Sequence, residues 1–191
     1  MRIIAGKYRG RKLKSPPSLQ TRPTSDRLRE TLYNILAPRI EDARFLDLCA
    51  GSGAVGLEAL SRGATHATFV DQSRKMCGLI QANLAALQVD EAEVEIEISE
   101  ALAFLRKRTA KMTPRVLEPF DIIFFDPPYG TDYDAVLAYV GEKAESLLSP
   151  DGVMIVEHYK KKELGEEYGL LRRNRTVKQG DSMLGFFGMG Q

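Results

Sequence analysis

The chain has 191 residues, 43% hydrophobic side chains and a formal net charge of +1, which is typical of one soluble globular domain with its own core. No apolar run approaches the roughly 18–20 residues of a membrane-spanning helix, and the first residues lack the apolar core of a signal peptide. We therefore expect a cytoplasmic protein without a membrane partner. Cys49 and Cys77 lie too far apart for a disulfide framework. The two histidines are isolated, so no metal site is predicted.

Positive charge is concentrated at the N-terminal end. Residues 1–29 contain nine basic side chains and one acidic side chain, a net charge of +8, so the rest of the chain carries −7. This asymmetry indicates an anionic partner, and nucleic acid is the usual candidate, although a solvated basic tail would have the same composition. The basic residues alternate with Ile3, Ile4, Tyr8 and Leu13, which favours a structured nucleic-acid contact.

Taken in chain order, the first predicted unit is a small basic appendage. Residues 2–5 and 7–13 resemble two short strands that form a hairpin around Gly6. Residues 15–24 contain three prolines and are expected to form an extended linker. We therefore expect residues 1–24 to form a nucleic-acid-binding appendage.

From residue 25 onward, the pattern predicts helices that alternate with strands. Ser25 is a suitable N-cap for a helix that ends near Pro38. Strands are predicted over residues 44–49, 66–70, 93–98, 120–125 and 152–157, helices over 54–62, 73–87, 100–108 and 132–148, and a closing antiparallel pair over 168–177 and 182–188. Such alternation is typical of an α/β protein with a doubly wound, mostly parallel sheet. Ligands of these sheets bind outside the carboxyl ends of the strands.

The segment FLDLCAGSGAVGLEAL (45–60) predicts a strand, a tight turn and a helix. Gly51, Gly53 and Gly56 form a G-x-G-x-x-G pattern, and Asp71 follows 20 residues after Gly51. This is the textual signature of a dinucleotide-binding fold, but Asp47 would be unfavourable beside a pyrophosphate. A cationic ligand such as S-adenosylmethionine would tolerate that carboxylate, and Asp71 can accept hydrogen bonds from ribose hydroxyls in either case.

Each of these residues also has a simpler interpretation. The glycines fit a plain strand-to-helix turn, and a carboxylate such as Asp47 often caps local backbone. In SEAL (99–102), Glu100 is placed to meet an adenine amino group beside the Ala101 backbone, yet Ser99 could equally cap the helix that follows. The residues predicted to contact the cofactor are Asp47, Cys49, Gly51, Gly53, Asp71, Gln72, Glu100 and Ala101.

The segment DIIFFDPPYG (121–130) predicts a buried strand that ends in an unusual loop. An exocyclic amine of a nucleobase is a poor nucleophile because its lone pair is delocalised into the ring. The Asp126 carboxylate and the Pro127 carbonyl are two acceptors that can orient such an amine, and consecutive prolines stiffen the loop. Tyr129 offers an aromatic face for stacking. A proline turn after a buried strand is the simpler alternative, so the inference depends on the whole DPPY motif downstream of the glycine turn.

These motifs together resemble one enzyme family. MRIIAGKYRGRKL, TRPTSDRLRETLYNIL, LDLCAGSGAVGLEALSRGA and DPPY are similar to the RsmD-type 16S ribosomal RNA guanine-N2 methyltransferases, and the match covers almost the whole chain. The resemblance implies a class I, Rossmann-like methyltransferase domain over residues 25–191. It also implies methyl transfer from S-adenosylmethionine, with S-adenosylhomocysteine as product and no metal, to a guanine of 16S rRNA in assembled or assembling small subunits. We expect the enzyme to be a monomer.

Matching positions assign roles to individual residues. The catalytic residues implied are Asp126, Pro127, Pro128 and Tyr129, and Pro23 would lie near the target loop. Arg22 and Thr24 would lie there as well and contact the RNA. The concentration of basic charge in the hairpin predicts further RNA contacts at Arg2, Lys7, Arg9, Arg11 and Lys12. The chain departs from the family pattern at Gln179, where an aromatic residue is expected before Gly-Asp-Ser.

Three other functions remain open from the residues alone. A related DPPY enzyme would methylate adenine N6 or cytosine N4 of RNA or DNA. An NAD-dependent oxidoreductase shares the glycine pattern but would be expected to lack DPPY. A non-catalytic RNA-binding or assembly factor could keep the fold, although the intact Asp126 argues against it.

Overall fold

The computed structural model describes residues 1–15, 26–110, 118–128 and 130–190. Within these ranges the strands form one sheet. They are β1 (Arg44–Leu48), β2 (His66–Asp71), β3 (Val94–Ile98), β4 (Phe120–Phe125), β5 (Leu148–Tyr159), β6 (Glu167–Tyr168), β7 (Leu171–Gln179) and β8 (Ser182–Met189). Their order across the sheet is β3-β2-β1-β4-β5-β8-β7-β6. The β1 to β5 part is parallel, and β5, β8, β7 and β6 pair antiparallel. This confirms the predicted fold class.

Helices connect the parallel strands. They are α1 (Asp26–Leu36), α2 (Ala54–Ser61), α3 (Arg74–Leu87), α4 (Ala101–Ala110), α5 (Tyr133–Glu142) and α6 (Ala144–Leu147). Among the helices in the described ranges, none combines the length and apolar content that crossing a membrane would require. The predicted helix over residues 132–148 is divided near Lys143, and β5 begins at Leu148 rather than at residue 152.

The core lies on both faces of the sheet, which explains the apolar run of β4. Ile122 and Phe124 pack into one hydrophobic cluster, and Ile123 and Phe125 pack into the other. A strand covered on both faces needs no polar alternation. By contrast, β3 is an edge strand whose residues are only partly buried, as its alternation of isoleucine or valine with glutamate predicts.

The N-terminal segment folds back on itself, but not around Gly6 as predicted. An isolated bridge joins Arg2 to Lys12, and the Ile3 amide N–H donates to the Arg11 carbonyl over 3.0 Å, so the reversal spans residues 4–10. The predicted strands over residues 2–5 and 7–13 do not form a regular ladder. Within the reversal, the amides of Arg9 and Gly10 close turns onto the carbonyls of Gly6 and Ile3, while the amides of Ile4, Ala5 and Lys7 bond to α2.

A buried carboxylate holds this segment on α2. Glu58 is fully buried and accepts hydrogen bonds from the amides of Ile4 (2.8 Å) and Ala5 (3.0 Å). The same carboxylate is neutralised by Arg62 at 2.8 Å and by the buried Arg29 at 3.5 Å. Because α2 also follows the glycine turn, the basic segment is attached directly to the element that carries that turn.

Two glycines of this segment give a matched test of its packing. Gly6 and Gly10 have nearly equal positive φ angles, 83° and 82°. A Cβ at Gly6 would lie 1.7 Å from the Ser61 carbonyl oxygen, whereas a Cβ at Gly10 meets nothing within 4 Å. We expect Gly10→Ala to cost roughly 1–2 kcal/mol for the left-handed backbone. Gly6→Ala should cost about 1–3 kcal/mol more because it displaces the segment from α2. Urea unfolding measures both, and equal losses would contradict the packing described here.

Candidate active site

The candidate site lies at the carboxyl ends of the parallel strands. The ends of β1, β2 and β4 are in register, so Cys49, Asp71 and Asp126 lie side by side along this edge. The Asp126 amide N–H donates to the Leu48 carbonyl over 3.4 Å. Strand order reverses between β1 and β4, which is where doubly wound sheets bind their ligands.

The glycines of the turn after β1 serve different purposes. Gly51 has φ of 55°, and a Cβ there would meet nothing within 4 Å, so the backbone is open to a ligand. A Cβ at Gly56 would lie 2.4 Å from the Phe69 ring, so this glycine permits close packing of α2 on β2. Gly53 also has a positive φ, 76°, and its amide closes the turn onto the Ala50 carbonyl at 2.8 Å. The turn therefore offers its open face at Gly51.

Asp71 fixes the turn and keeps capacity for a ligand. Its two carboxylate oxygens accept hydrogen bonds from the amides of Gly51 and Ser73, each with a donor–acceptor distance of 2.8 Å. A carboxylate has about four acceptor positions, so one position on each oxygen remains for a diol. This geometry is compatible with the predicted ribose contact, which stays a prediction.

Asp47 lies beneath the turn rather than on its surface. Its side chain is 2% exposed and accepts the Gly56 amide N–H at 2.9 Å, so it caps the first turn of α2. Burial raises the pKa of Asp47 to about 7, and the negative charge of Asp71 adds to the rise, while the Gly56 hydrogen bond opposes it. The simpler capping role is thus part of what this residue does, and its contact with a ligand stays a prediction.

The pKa of the Cys49 thiol indicates the electrostatic environment at this edge of the sheet. Burial raises the pKa of its thiol to about 12, with further contributions from the charges of Asp71, Asp126 and Asp47. The thiol is therefore protonated near neutral pH and is not a nucleophile. Three carboxylates close enough to act on one thiol make this edge favourable for a cationic ligand.

The remaining predicted cofactor residues follow β2 (Gln72) and β3 (Glu100 and Ala101). Gln72 and Glu100 are exposed, and the buried Ala101 begins α4. The Ser99 amide donates to the Asp71 carbonyl over 3.1 Å, which joins the ends of β2 and β3. The Ser99 hydroxyl bonds to the Glu100 carbonyl at 3.1 Å, so it does not act as the helix cap considered from the sequence. Ile98, the last residue of β3, is a hydrophobic residue that is 46% exposed at this end of the sheet. The sequence analysis did not identify it as a candidate site residue.

The loop after β4 is short and internally braced. Asp126 is half-buried, Pro127 is buried and Pro128 is exposed. Thr131 donates to the Pro128 carbonyl from both its amide (3.2 Å) and its hydroxyl (2.8 Å). The sequence reasoning did not identify Thr131, because a threonine after a glycine has no distinctive pattern. The predicted stacking residue Tyr129 lies outside the described residues.

Lys7 of the basic N-terminal segment lies at the end of α2 that is far from the glycine turn. Arg2, Lys7, Arg9, Arg11 and Lys12 are all exposed. Lys7 pairs with Glu93 at 3.1 Å, and its amide bonds to the last residue of α2. The eight residues of α2 span about 12 Å, which separates Lys7 from the glycine turn.

The other predicted RNA contacts fall beyond what the structure describes. Arg22, Pro23 and Thr24, together with the predicted N-cap Ser25, lie outside the described residues. Arg11 is described, and its guanidinium donates to the Ala86 carbonyl near the end of α3 at 2.6 Å.

One buried amide connects the N-terminal segment to the glycine turn. Asn83 is 1% exposed, and its Oδ1 accepts the Lys14 amide at 2.8 Å. Its Nδ2 donates to the carbonyls of Lys14 (3.1 Å) and Ser52 (3.2 Å). Through Asn83, the backbone at Lys14 is connected to the glycine turn. The hydrophobic periodicity of α3 alone does not reveal this connection.

Asp47→Asn should change how stability depends on pH. The asparagine keeps an oxygen for the Gly56 amide but cannot ionise. Because the pKa of Asp47 is raised to about 7 in the fold from roughly 3.9 when unfolded, the neutral form is favoured by folding. The wild type should therefore lose stability relative to the variant from about pH 4 to about pH 7, and then level off. Urea unfolding across this range measures the difference, and parallel profiles would show that Asp47 is not buried as described.

Comparison with known proteins identifies the family. The family model described as Conserved hypothetical protein 95 matches residues 1–188. Ribosomal RNA small subunit methyltransferase D of Escherichia coli strain K12 is 47% identical over 129 residues, which are 68% of this chain and 60% of that enzyme. The enzyme of the same name from Haemophilus influenzae is 36% identical over 184 residues, 92% of this chain and 89% of that enzyme.

A solved structure agrees with the sequence matches. The Escherichia coli protein yhhF superimposes with a TM-score of 0.84 at 33% identity, covering 99% of this chain and 97% of that protein. The resemblance found in the sequence is thereby confirmed. This chain belongs to the Conserved hypothetical protein 95 family, the family of ribosomal RNA small subunit methyltransferase D.

Proposed function

We propose that this protein transfers a methyl group from S-adenosylmethionine to the exocyclic N2 amine of a guanine in small-subunit ribosomal RNA. The observation that carries the proposal is the position of Asp126, on a rigid Asp-Pro-Pro loop directly beside the glycine turn. Membership of the family that contains ribosomal RNA small subunit methyltransferase D supports the substrate class. The choice of guanine N2 rests on the motif resemblance.

The residues at the strand ends fit this cofactor. S-adenosylmethionine supplies an activated methyl group carried on a sulfonium. Asp71 would hold its ribose, the open backbone at Gly51 would allow close approach, and Glu100 would meet its adenine. The carboxylates around Cys49 favour a cation here and disfavour the pyrophosphate of NAD, which argues against the oxidoreductase alternative.

Asp126 performs two tasks in the proposed reaction. Its carboxylate accepts a hydrogen bond from the target amine and orients the nitrogen lone pair toward the glycine turn. As that nitrogen forms its bond to the methyl carbon, the bond from that carbon to sulfur would break and leave S-adenosylhomocysteine. The nitrogen becomes acidic and releases a proton, which Asp126 receives. Strong basicity is not required of Asp126. Placement accounts for much of the rate, because well-oriented reactants avoid a large entropic cost.

The loop supplies rigidity. Pro127 and Pro128 restrict the backbone, and Thr131 fixes the Pro128 carbonyl through two hydrogen bonds. An acceptor that is preorganised before substrate binds needs no reorganisation during the reaction. We therefore assign Asp126 and the Pro127 carbonyl as the acceptors that meet the amine, with Pro128 and Thr131 as positioning groups and Tyr129 as a stacking residue.

The basic N-terminal surface accounts for the RNA partner. Arg2, Arg9 and Lys12 are exposed on a segment that is firmly attached to α2 and α3. Lysine and arginine contacts to phosphates provide most of the sequence-independent affinity for nucleic acid. The position of Lys7, at the end of α2 far from the glycine turn, suits contact with RNA flanking the target, either in free rRNA or in an assembled or assembling small subunit.

Asp126→Asn should abolish catalysis without abolishing cofactor binding. The amide keeps the side-chain shape but is a poor proton acceptor, so kcat should fall by about 100-fold or more. The affinity for S-adenosylmethionine, measured by calorimetry, should change by less than about threefold. Asp132→Asn is the matched control, because Asp132 lies in the same loop but caps α5, and asparagine is an equally good N-cap. Substantial activity of Asp126→Asn would refute the catalytic assignment.

A further inference from the structure

A cavity adjoins the loop after β4, on the β5 side and away from the glycine turn. It has a volume of about 400 Å³ and is lined by Gly130, Thr131, Tyr133, Tyr159, Lys161 and Lys162. This volume falls within the roughly 300–1,000 Å³ range of small-ligand sites. Among the described residues, its walls come from the segment that follows the Asp-Pro-Pro sequence and from the end of β5 with the residues after it.

The strand order determines where this cavity lies relative to Asp126 and the glycine turn. Along the carboxyl edge, the strands run β2, β1, β4 and β5. Asp71 is the last residue of β2, and the glycine turn follows β1. Asp126 follows β4, and Tyr159 is the last residue of β5. Asp126 therefore lies between the proposed cofactor site and the cavity, which is the arrangement that a methyl donor and its acceptor require.

The chemistry of the lining suits one nucleotide. Tyr159 is half-buried and Tyr133 is buried, so the walls offer aromatic surface to a base, and bases extruded from RNA commonly stack on aromatic side chains. Lys161 and Lys162 add positive charge at the rim, suited to a phosphate. Another cavity, of about 470 Å³ at the opposite edge, is lined by Glu41, Asp42, Asp121 and Asp151 with one arginine and would repel a phosphate.

The three consecutive lysines after β5 are not equivalent. Lys160 pairs with Asp181 at 2.7 Å, and Lys162 pairs with Asp134 at 3.3 Å. Lys161 is exposed and forms no ion pair with any residue in the described ranges. Its charge is therefore the one available to an incoming anion, and Lys160 provides a neighbour of the same type that does not line the cavity.

We propose that this cavity receives the target nucleotide, with Tyr159 against the base and Lys161 on an adjacent phosphate. The assignment rests on the proposed function, and it deepens it by naming the acceptor site. In this arrangement the nucleotide leaves its RNA stack, and its exocyclic amine reaches Asp126 from the side opposite the glycine turn.

Kinetics on small ribosomal subunits that lack the modification test this assignment. Lys161→Ala should raise KM at least about fivefold and lower the salt dependence of binding by roughly one phosphate contact, with kcat and S-adenosylmethionine affinity little changed. Lys160→Ala should leave these values near those of the wild type. Tyr159→Ala should reduce kcat/KM about 5- to 150-fold, the range expected for loss of one base stack, and Tyr159→Phe should restore most of it. Thermal unfolding of each variant checks that the fold persists.

The outcomes separate this inference from the proposed function. If the wild type transfers no methyl group to these subunits, the proposed function fails. If the wild type is active but Lys161→Ala behaves like Lys160→Ala, the cavity is not the acceptor site, while the function stands. Loss of cofactor affinity in Lys161→Ala would also overturn the assignment, because the residue would then belong to the other side of Asp126.

Discussion

The register of the parallel strands at their carboxyl ends is the constraint on which the candidate site depends. Because β2, β1 and β4 end together, three acidic residues that are far apart in sequence lie at a single edge. They are Asp71 of β2, Asp47 of β1 and Asp126 of the loop after β4. Hydrogen bonds then fix the details: Asp71 holds the glycine turn, and the Asp126 amide bonds to β1. The same register separates two sides of Asp126, one for a methyl donor and one for its acceptor.

The proposed ligands have opposite charges, and the charge distribution of the molecule accommodates both. Burial raises the pKa of the Cys49 thiol to about 12, and the negative charges of Asp71, Asp126 and Asp47 add to the rise. Negative charge at this edge suits a cationic cofactor but would repel RNA. Positive side chains lie elsewhere: Lys161 lies further along the same edge, after β5, and others lie on the N-terminal segment. That segment is not independent of the site, because Glu58 attaches it to α2 and Asn83 links it to the glycine turn. RNA contacts and cofactor contacts therefore share elements of one scaffold.

Sequence reasoning reached the fold through strong local patterns. The buried run FDIIFF, the glycine turn and the glutamate alternation of β3 each have a direct physical meaning, and each predicted the element observed. The N-terminal reversal was misplaced, because its backbone hydrogen bonds go to Glu58, 54 residues away from Ile4, and no local pattern encodes such a partner. Asn83 was missed for the same reason, because its partners Lys14 and Ser52 are distant in sequence. Thr131 bonds locally to Pro128 but has no distinctive sequence pattern, and Lys161 differs from its two lysine neighbours only in the fold. Asp47 was predicted to meet the cofactor, and its capping of α2 emerges only from the fold.

Identification of the methylated nucleoside tests the central claim most directly. Labelled S-adenosylmethionine would be incubated with the protein and, in separate reactions, unmodified small subunits, naked 16S rRNA and duplex DNA, followed by nucleoside digestion and mass spectrometry. The account predicts N2-methylguanosine from the rRNA substrates and no methylation of DNA. N6-methyladenine or N4-methylcytosine would contradict the assigned base while leaving the chemistry of Asp126 in place. The absence of transfer to every substrate, with cofactor bound, would contradict the proposed function itself.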